Sequence, residues 1–299
     1  MKSWKIGAIA GLIAGIVSAI VYQFFINIAL SLGLFDLWYR ENVYYTSHIA
    51  AYLPILGFYG IIFGAIYSMV YDIIPKRGIL KWLIYGSFIW FITTFRIHTY
   101  ILPYGFGYLT AAGDYFASFF QWISFGLVLG ILYEFLSSRY YPTKEKKKIV
   151  TYNMSSGVLP GAIAGLCGGI TAGIVAALGH TTGYWGIITA GEVVSTLDFW
   201  MSQAGTHALL NMIWGTVFGT FFAKVYNLVP GKKVLKGLCF GLIMVFITSI
   251  ETTFIGTGEL LHSNLYEVAL PTFLTNLISI ANAIVYGLVL GLLYRKPSK

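Results

Sequence analysis

The tetrapeptides Thr93-Thr94-Phe95-Arg96 and Thr248-Ser249-Ile250-Glu251 lie 155 residues apart and end in opposite charges, each inside an apolar run. A lone charge in hydrocarbon costs several kcal/mol, so each requires a partner or an aqueous cavity. Gln121 and Asn282 form a second matched pair, 161 residues apart, and both are amides within apolar runs. Amides there either bond across helices or line a polar path. Arg96, Glu251, Gln121 and Asn282 are therefore the candidate residues of a solute or ion path. A further charge reversal, Glu134 against Arg295, falls at helix ends, where hydration accounts for it.

The five histidines, His48, His98, His180, His207 and His262, have Glu192, Asp198, Glu259 and Glu267 near them in the expected topology. Such a set would suit a metal, a haem or a pH-responsive surface. The spacing names none of these: there is no His-x-x-x-His, no His-Glu-x-x-His and no two-haem pattern on one helix. His48, His98 and His207, at expected helix ends, are weak metal candidates only. Catalytic signatures are also missing: no Gly-x-Ser-x-Gly elbow, no phosphate loop and no paired intramembrane carboxylates. Cys167 and Cys239 belong to no metal or redox motif and read as small packing residues.

The elements that must position these residues follow from composition. Of 299 residues, 58% are apolar, 17% aromatic and 10% charged, with mean hydropathy +0.76. A soluble domain carries about 25% charged residues, and two cysteines exclude a disulfide scaffold. Runs long enough to cross a core of about 30 Å occur near 6–30, 49–72, 79–101, 115–137, 158–180, 205–228, 234–256 and 271–294. The first is too long, and without a small-residue cleavage site, to be a signal peptide. If the chain alternates, 17 of 19 basic residues fall on one side and only Arg40 and Arg96 on the other, with 8 of 11 acids, among them Asp114. The net charge of +8 is then a topology signal rather than one for nucleic acid, and it predicts a multi-pass protein of the cell membrane with both termini cytoplasmic.

A long-period duplication organises the runs. Gly7–Leu12 recurs unchanged as Gly161–Leu166, residues 60–93 match 215–248 with 13 identities in 34 positions, and Gly126–Gly130 returns as Gly287–Gly291. The predicted fold is an all-α integral membrane protein. Its eight transmembrane helices form two parallel four-helix repeats, 1–141 and 157–299, related by a pseudo-two-fold axis along the membrane normal. A basic cytoplasmic linker, 142–156, joins them. Glycines four apart allow close GxxxG-type packing, and spans one and five are expected to meet near the axis. The aromatic-rich outer connections, 31–48 and 181–204, are expected at the membrane interface.

These features favour a permease for a small solute or ion, with its path between the repeats, where Arg96 and Glu251 would pair. A second reading is a non-catalytic anchor or assembly subunit of a larger complex, such as an electron-transfer one. A third is a membrane enzyme or haem protein using the outer histidines. The expected partners are the lipid bilayer and the solute or ion, with other membrane subunits or further copies of the chain under the second reading.

Overall fold

The computed structural model describes residues 3–34, 45–95, 108–140, 153–181, 197–248 and 265–295, with the backbone alone at 45–52, 108–111, 176–181, 197–204, 206–207 and 265–276. Among the described residues there are eight α-helices and no strand. They are α1 (Ser3–Ser31), α2 (Tyr45–Val70), α3 (Ile79–Trp90), α4 (Tyr108–Tyr140), α5 (Val158–Thr181), α6 (Leu197–Val225), α7 (Val234–Thr248) and α8 (Leu265–Leu293). Five described helical stretches are long and apolar enough to cross a membrane: Ser3–Ser31, Leu53–Val70, Ala112–Tyr140, Met154–Val175 and Ala208–Val225. Three shorter apolar stretches, Ile79–Phe95, Val234–Thr248 and Leu277–Leu293, make up the rest. The protein is a multi-pass helical membrane protein.

The distribution of side-chain sizes gives the physical reason. On α1 the buried positions are small (Gly7, Ala10, Gly11, Ala14, Gly15, Ser18, Ala19 and Ala29) apart from Ile6 and Ile26, while Ile9, Leu12, Ile13, Ile16, Ile20 and Phe24 face outward. Water would drive the bulky aliphatic groups inside; lipid does not, and close backbone packing then favours small residues between helices. The same inversion holds on α5, with Ala164, Gly165 and Gly168 inside and Leu159, Ile163, Leu166 and Ile170 outside.

The chain divides into two compact units, Met1–Ile149 and Val150–Lys299. In unit one, α1 packs on α2 and α4, and α3 on α4; in unit two, α5 packs on α6 and α8, and α7 on α8. Glycines set these approaches. A Cβ on Gly11 would overlap the Gly60 carbonyl, and one on Gly7 the Gly64 carbonyl. In unit two, Gly161 meets Gly215 and Gly165 meets the Asn211 carbonyl in the same way. The glycine faces of α1 and α5 are occupied inside their own units, against α2 and α6.

Candidate functional site

Polar groups inside unit one gather at two depths. The first cluster lies where α2 turns into α3. Tyr67 ends α2, and its ring stands 5.5 Å from Tyr71, 4.8 Å from Tyr85 and 5.3 Å from Tyr133. Lys81, only 7% exposed, donates from Nζ to the Tyr71 carbonyl at 2.7 Å and lies 3.7 Å from the centre of the Tyr71 ring. A buried ammonium needs such partners, and a helix C-terminus offers an unpaired carbonyl and a negative dipole end. Glu134 Oε1 accepts from the Tyr71 hydroxyl at 2.6 Å and from Trp82 Nε1 at 3.0 Å. Burial, and then the hydrogen bond and charge of Glu134, raise the Tyr71 phenol above its ordinary range. The Tyr67 hydroxyl is fully buried and has no hydrogen-bond partner among the described residues.

Glu134 thus departs from the hydration expected for it. Two donors from the α2 end and α3 hold its carboxylate, whereas Arg295, the matched residue of unit two, is exposed. The rest of the cluster has a counterpart in unit two. Phe222, Tyr226, Phe240 and Tyr294 stand where Tyr67, Tyr71, Tyr85 and Tyr133 do, with Phe222 centred 5.4, 5.0 and 5.2 Å from the other three rings. Lys236 donates to the Tyr226 carbonyl at 2.8 Å, and also to that of Val229. What differs is polarity: unit two lacks the hydroxyls of Tyr67 and Tyr85 and the carboxylate of Glu134. Gly237 stands in place of Trp82 and lets the backbone of α7 approach Gly287 and Gly291. Replacing Lys81 with methionine removes a donor and strands the Tyr71 carbonyl, for an expected loss of about 1–3 kcal/mol. Thermal unfolding of Lys81→Met and Lys236→Met in detergent should show similar falls.

The second group of polar residues in unit one runs down one face of α4. Asp114 Oδ1 accepts from the Tyr22 hydroxyl of α1 at 2.6 Å. Ser118, one turn further on, is buried and accepts from Trp90 Nε1 at 3.2 Å. Gln121 is also buried, and it lies about 10 Å along the axis from Asp114. Beyond it the same face turns apolar, with Phe125 and Leu129 fully buried. Phe63 closes on this stretch from α2, its ring 5.5 Å from Trp122 and 6.1 Å from Phe125. The polar stripe therefore stops at an aromatic plug, and the tyrosine cluster lies on the other side of it.

Unit two carries its amides elsewhere. Asn282 Nδ2 donates to Asn211 Oδ1 at 2.8 Å, and the Asn282 side chain occupies the space that a Cβ on Gly168 would need. One turn on, the Tyr286 hydroxyl donates to the Gly215 carbonyl at 3.2 Å. The expected interhelical amide bond is present for Asn282, whereas the buried Gln121 amide forms no such pair with a described residue. Changing Asn211 and Asn282 to leucine, singly and together, tests the bond. The coupling between the two changes should be about 0.6 kcal/mol, the usual size within membranes, measured as a double-mutant cycle of unfolding.

The chain matches no known protein family, no curated protein and no solved structure. Arg96, Glu251 and His98 lie outside the described residues, while His48 and His207 lie on α2 and α6 where the backbone alone is described. Among the described residues, no three His, Cys, Asp or Glu side chains come together as a metal site would require. The structure adds a local feature beside Arg96: the α3 helix widens into a π-turn at Phe91–Phe95. Such turns are rare and frequent at functional sites. Asn211, Tyr22 and the tyrosine cluster were not singled out by sequence. Asn211 alone left a signal, as an amide in an apolar run where the matched position, 155 residues earlier, is Leu56.

Proposed function

We propose that the protein is a permease or channel-like carrier for a small solute or ion. The observation that carries this reading is the polar stripe of half-buried Asp114 and buried Ser118 and Gln121, which ends against Phe63, Trp122 and Phe125. Helix association does not need a carboxylate at the border of a span, and one turned onto a neighbouring helix there supports a transport or relay path. An aromatic barrier with polar groups on both sides is what a closed path requires. Arg96, Glu251, Gln121 and Asn282 belong to the proposed path, Arg96 being the residue that follows the π-turn in sequence.

The architecture belongs to the same proposal: eight spans in two parallel four-helix repeats, packed through glycines four apart, in the cell membrane with both termini in the cytoplasm. Its support is the ring-by-ring agreement of the two aromatic clusters and the Lys–Tyr carbonyl bonds at 2.7 and 2.8 Å. Thr93 and Thr248 add to it, donating to the carbonyl four residues back at 2.7 and 2.8 Å.

Native mass spectrometry of the gently solubilised protein tests the permease against an assembly subunit. A monomer or homo-oligomer is expected; stoichiometric foreign chains or a bound cofactor would reassign the polar residues to assembly or to redox chemistry.

A further inference from the structure

The surface of unit one carries a shallow, open groove along α3, lined by Leu80, Ile84, Ser87, Phe88 and Phe91 with Phe119 of α4 beside them. From Leu80 to Phe91 it runs about 16 Å, close to the depth of one leaflet of a core about 30 Å thick. Its lining is hydrocarbon apart from Ser87 and the indole of Trp90, whose Nε1 is turned to Ser118. It begins in the first turn of α3, three residues after Arg77, and Lys76 and Arg77 are both exposed in the turn before it. Asp72, exposed in the same connection, leaves those three side chains with a net charge of +1. Lys81 is not part of this surface, since its ammonium is turned inward onto Tyr71.

An apolar trough about one leaflet long, preceded by two exposed cations in the turn before α3, has the form of an amphiphile with a single anionic end. Lysine and arginine at that depth gain about 1 kcal/mol each from anionic lipid. A neighbouring helix would match the apolar walls but leave Lys76 and Arg77 without a counter-charge. We infer that this groove is a binding site for an anionic phospholipid, one acyl chain lying along α3 and the phosphate held by Lys76 and Arg77. The inference rests on membrane insertion alone and is independent of transport.

The full chain is reconstituted in nanodiscs of equimolar phosphatidylglycerol and phosphatidylcholine, and the lipid retained after release is counted by native mass spectrometry. A single tightly held lipid is expected, enriched for phosphatidylglycerol by at least about fivefold. The double change Lys76→Gln with Arg77→Gln should bring the enrichment close to one. Lys232→Gln with Lys233→Gln, which removes the same charge from the equivalent turn of unit two, should leave it unchanged. Ile84→Trp, which fills the groove, should abolish the adduct while thermal unfolding stays within a few degrees of the parent. Equal retention of the two lipids, equal loss from both double variants, or an adduct that survives Ile84→Trp would each overturn the site. A lipid-free dimer dispersed by Ile84→Trp would instead give the groove to a second copy of the chain.

Discussion

Leucine at Gly11 or at Gly165 is expected to prevent the affected unit from assembling. At both positions the first atom of any side chain would overlap a backbone carbonyl of the facing helix, Gly60 in one unit and Asn211 in the other. A flexible side chain in the way would turn aside; a backbone does not, so the helices must part and every contact along that face is lost. The cost is put at about 3 kcal/mol or more, the upper end of overpacking effects. Detergent-solubilised variants should unfold roughly 10 °C lower, or fail to yield monodisperse protein. Gly205 is the control. Among the described residues nothing lies within 4 Å of a Cβ built there, so Gly205→Ala should be neutral or slightly stabilising. Equal damage from all three changes would mean that glycine content, rather than close approach, governs folding.

The second large effect concerns the charges beside the π-turn and at its sequence match. If Arg96 and Glu251 belong to one path, Arg96→Ala and Glu251→Ala should each lower solute flux at least about tenfold without changing the unfolding temperature by more than a few degrees. The reciprocal exchange, Arg96→Glu with Glu251→Arg, keeps one cation and one anion at matched positions and should recover part of the flux. Independent hydration of the two side chains at the membrane surface predicts near-normal flux in all three variants.

How much of this was legible in the sequence differs from residue to residue. The glycines four apart announced close packing because lipid gives bulky groups no reason to be inside. Their partners were not announced, since a small face fits any other small face, and chain connectivity decided for α2 and α6. Glu134 read as a hydrated helix-end carboxylate because its own neighbours are apolar or exposed. The groups that hold it, Tyr71 and Trp82, come from 63 and 52 residues away and converge only when α3 packs on α4. Asp114 was visible as an acid at the border of a span, but the Tyr22 hydroxyl that binds it is 92 residues distant. Asn282 was picked out through its match with Gln121, yet its partner is Asn211, where the duplication has Leu56 instead. The matched segments of the two units therefore share packing residues and differ in polar ones. Packing follows from local spacing, whereas each polar partner comes from another helix distant in sequence.

The most direct test of the transport account is solute flux through the purified full chain in liposomes. Stopped-flow light scattering would follow a panel of small neutral solutes, and ion-sensitive dyes the common monovalent ions. The account predicts flux of at least one solute or ion class well above protein-free liposomes, and its collapse in Arg96→Ala. Flux indistinguishable from empty liposomes for every member of the panel, with folded protein present in both leaflet orientations, would contradict it.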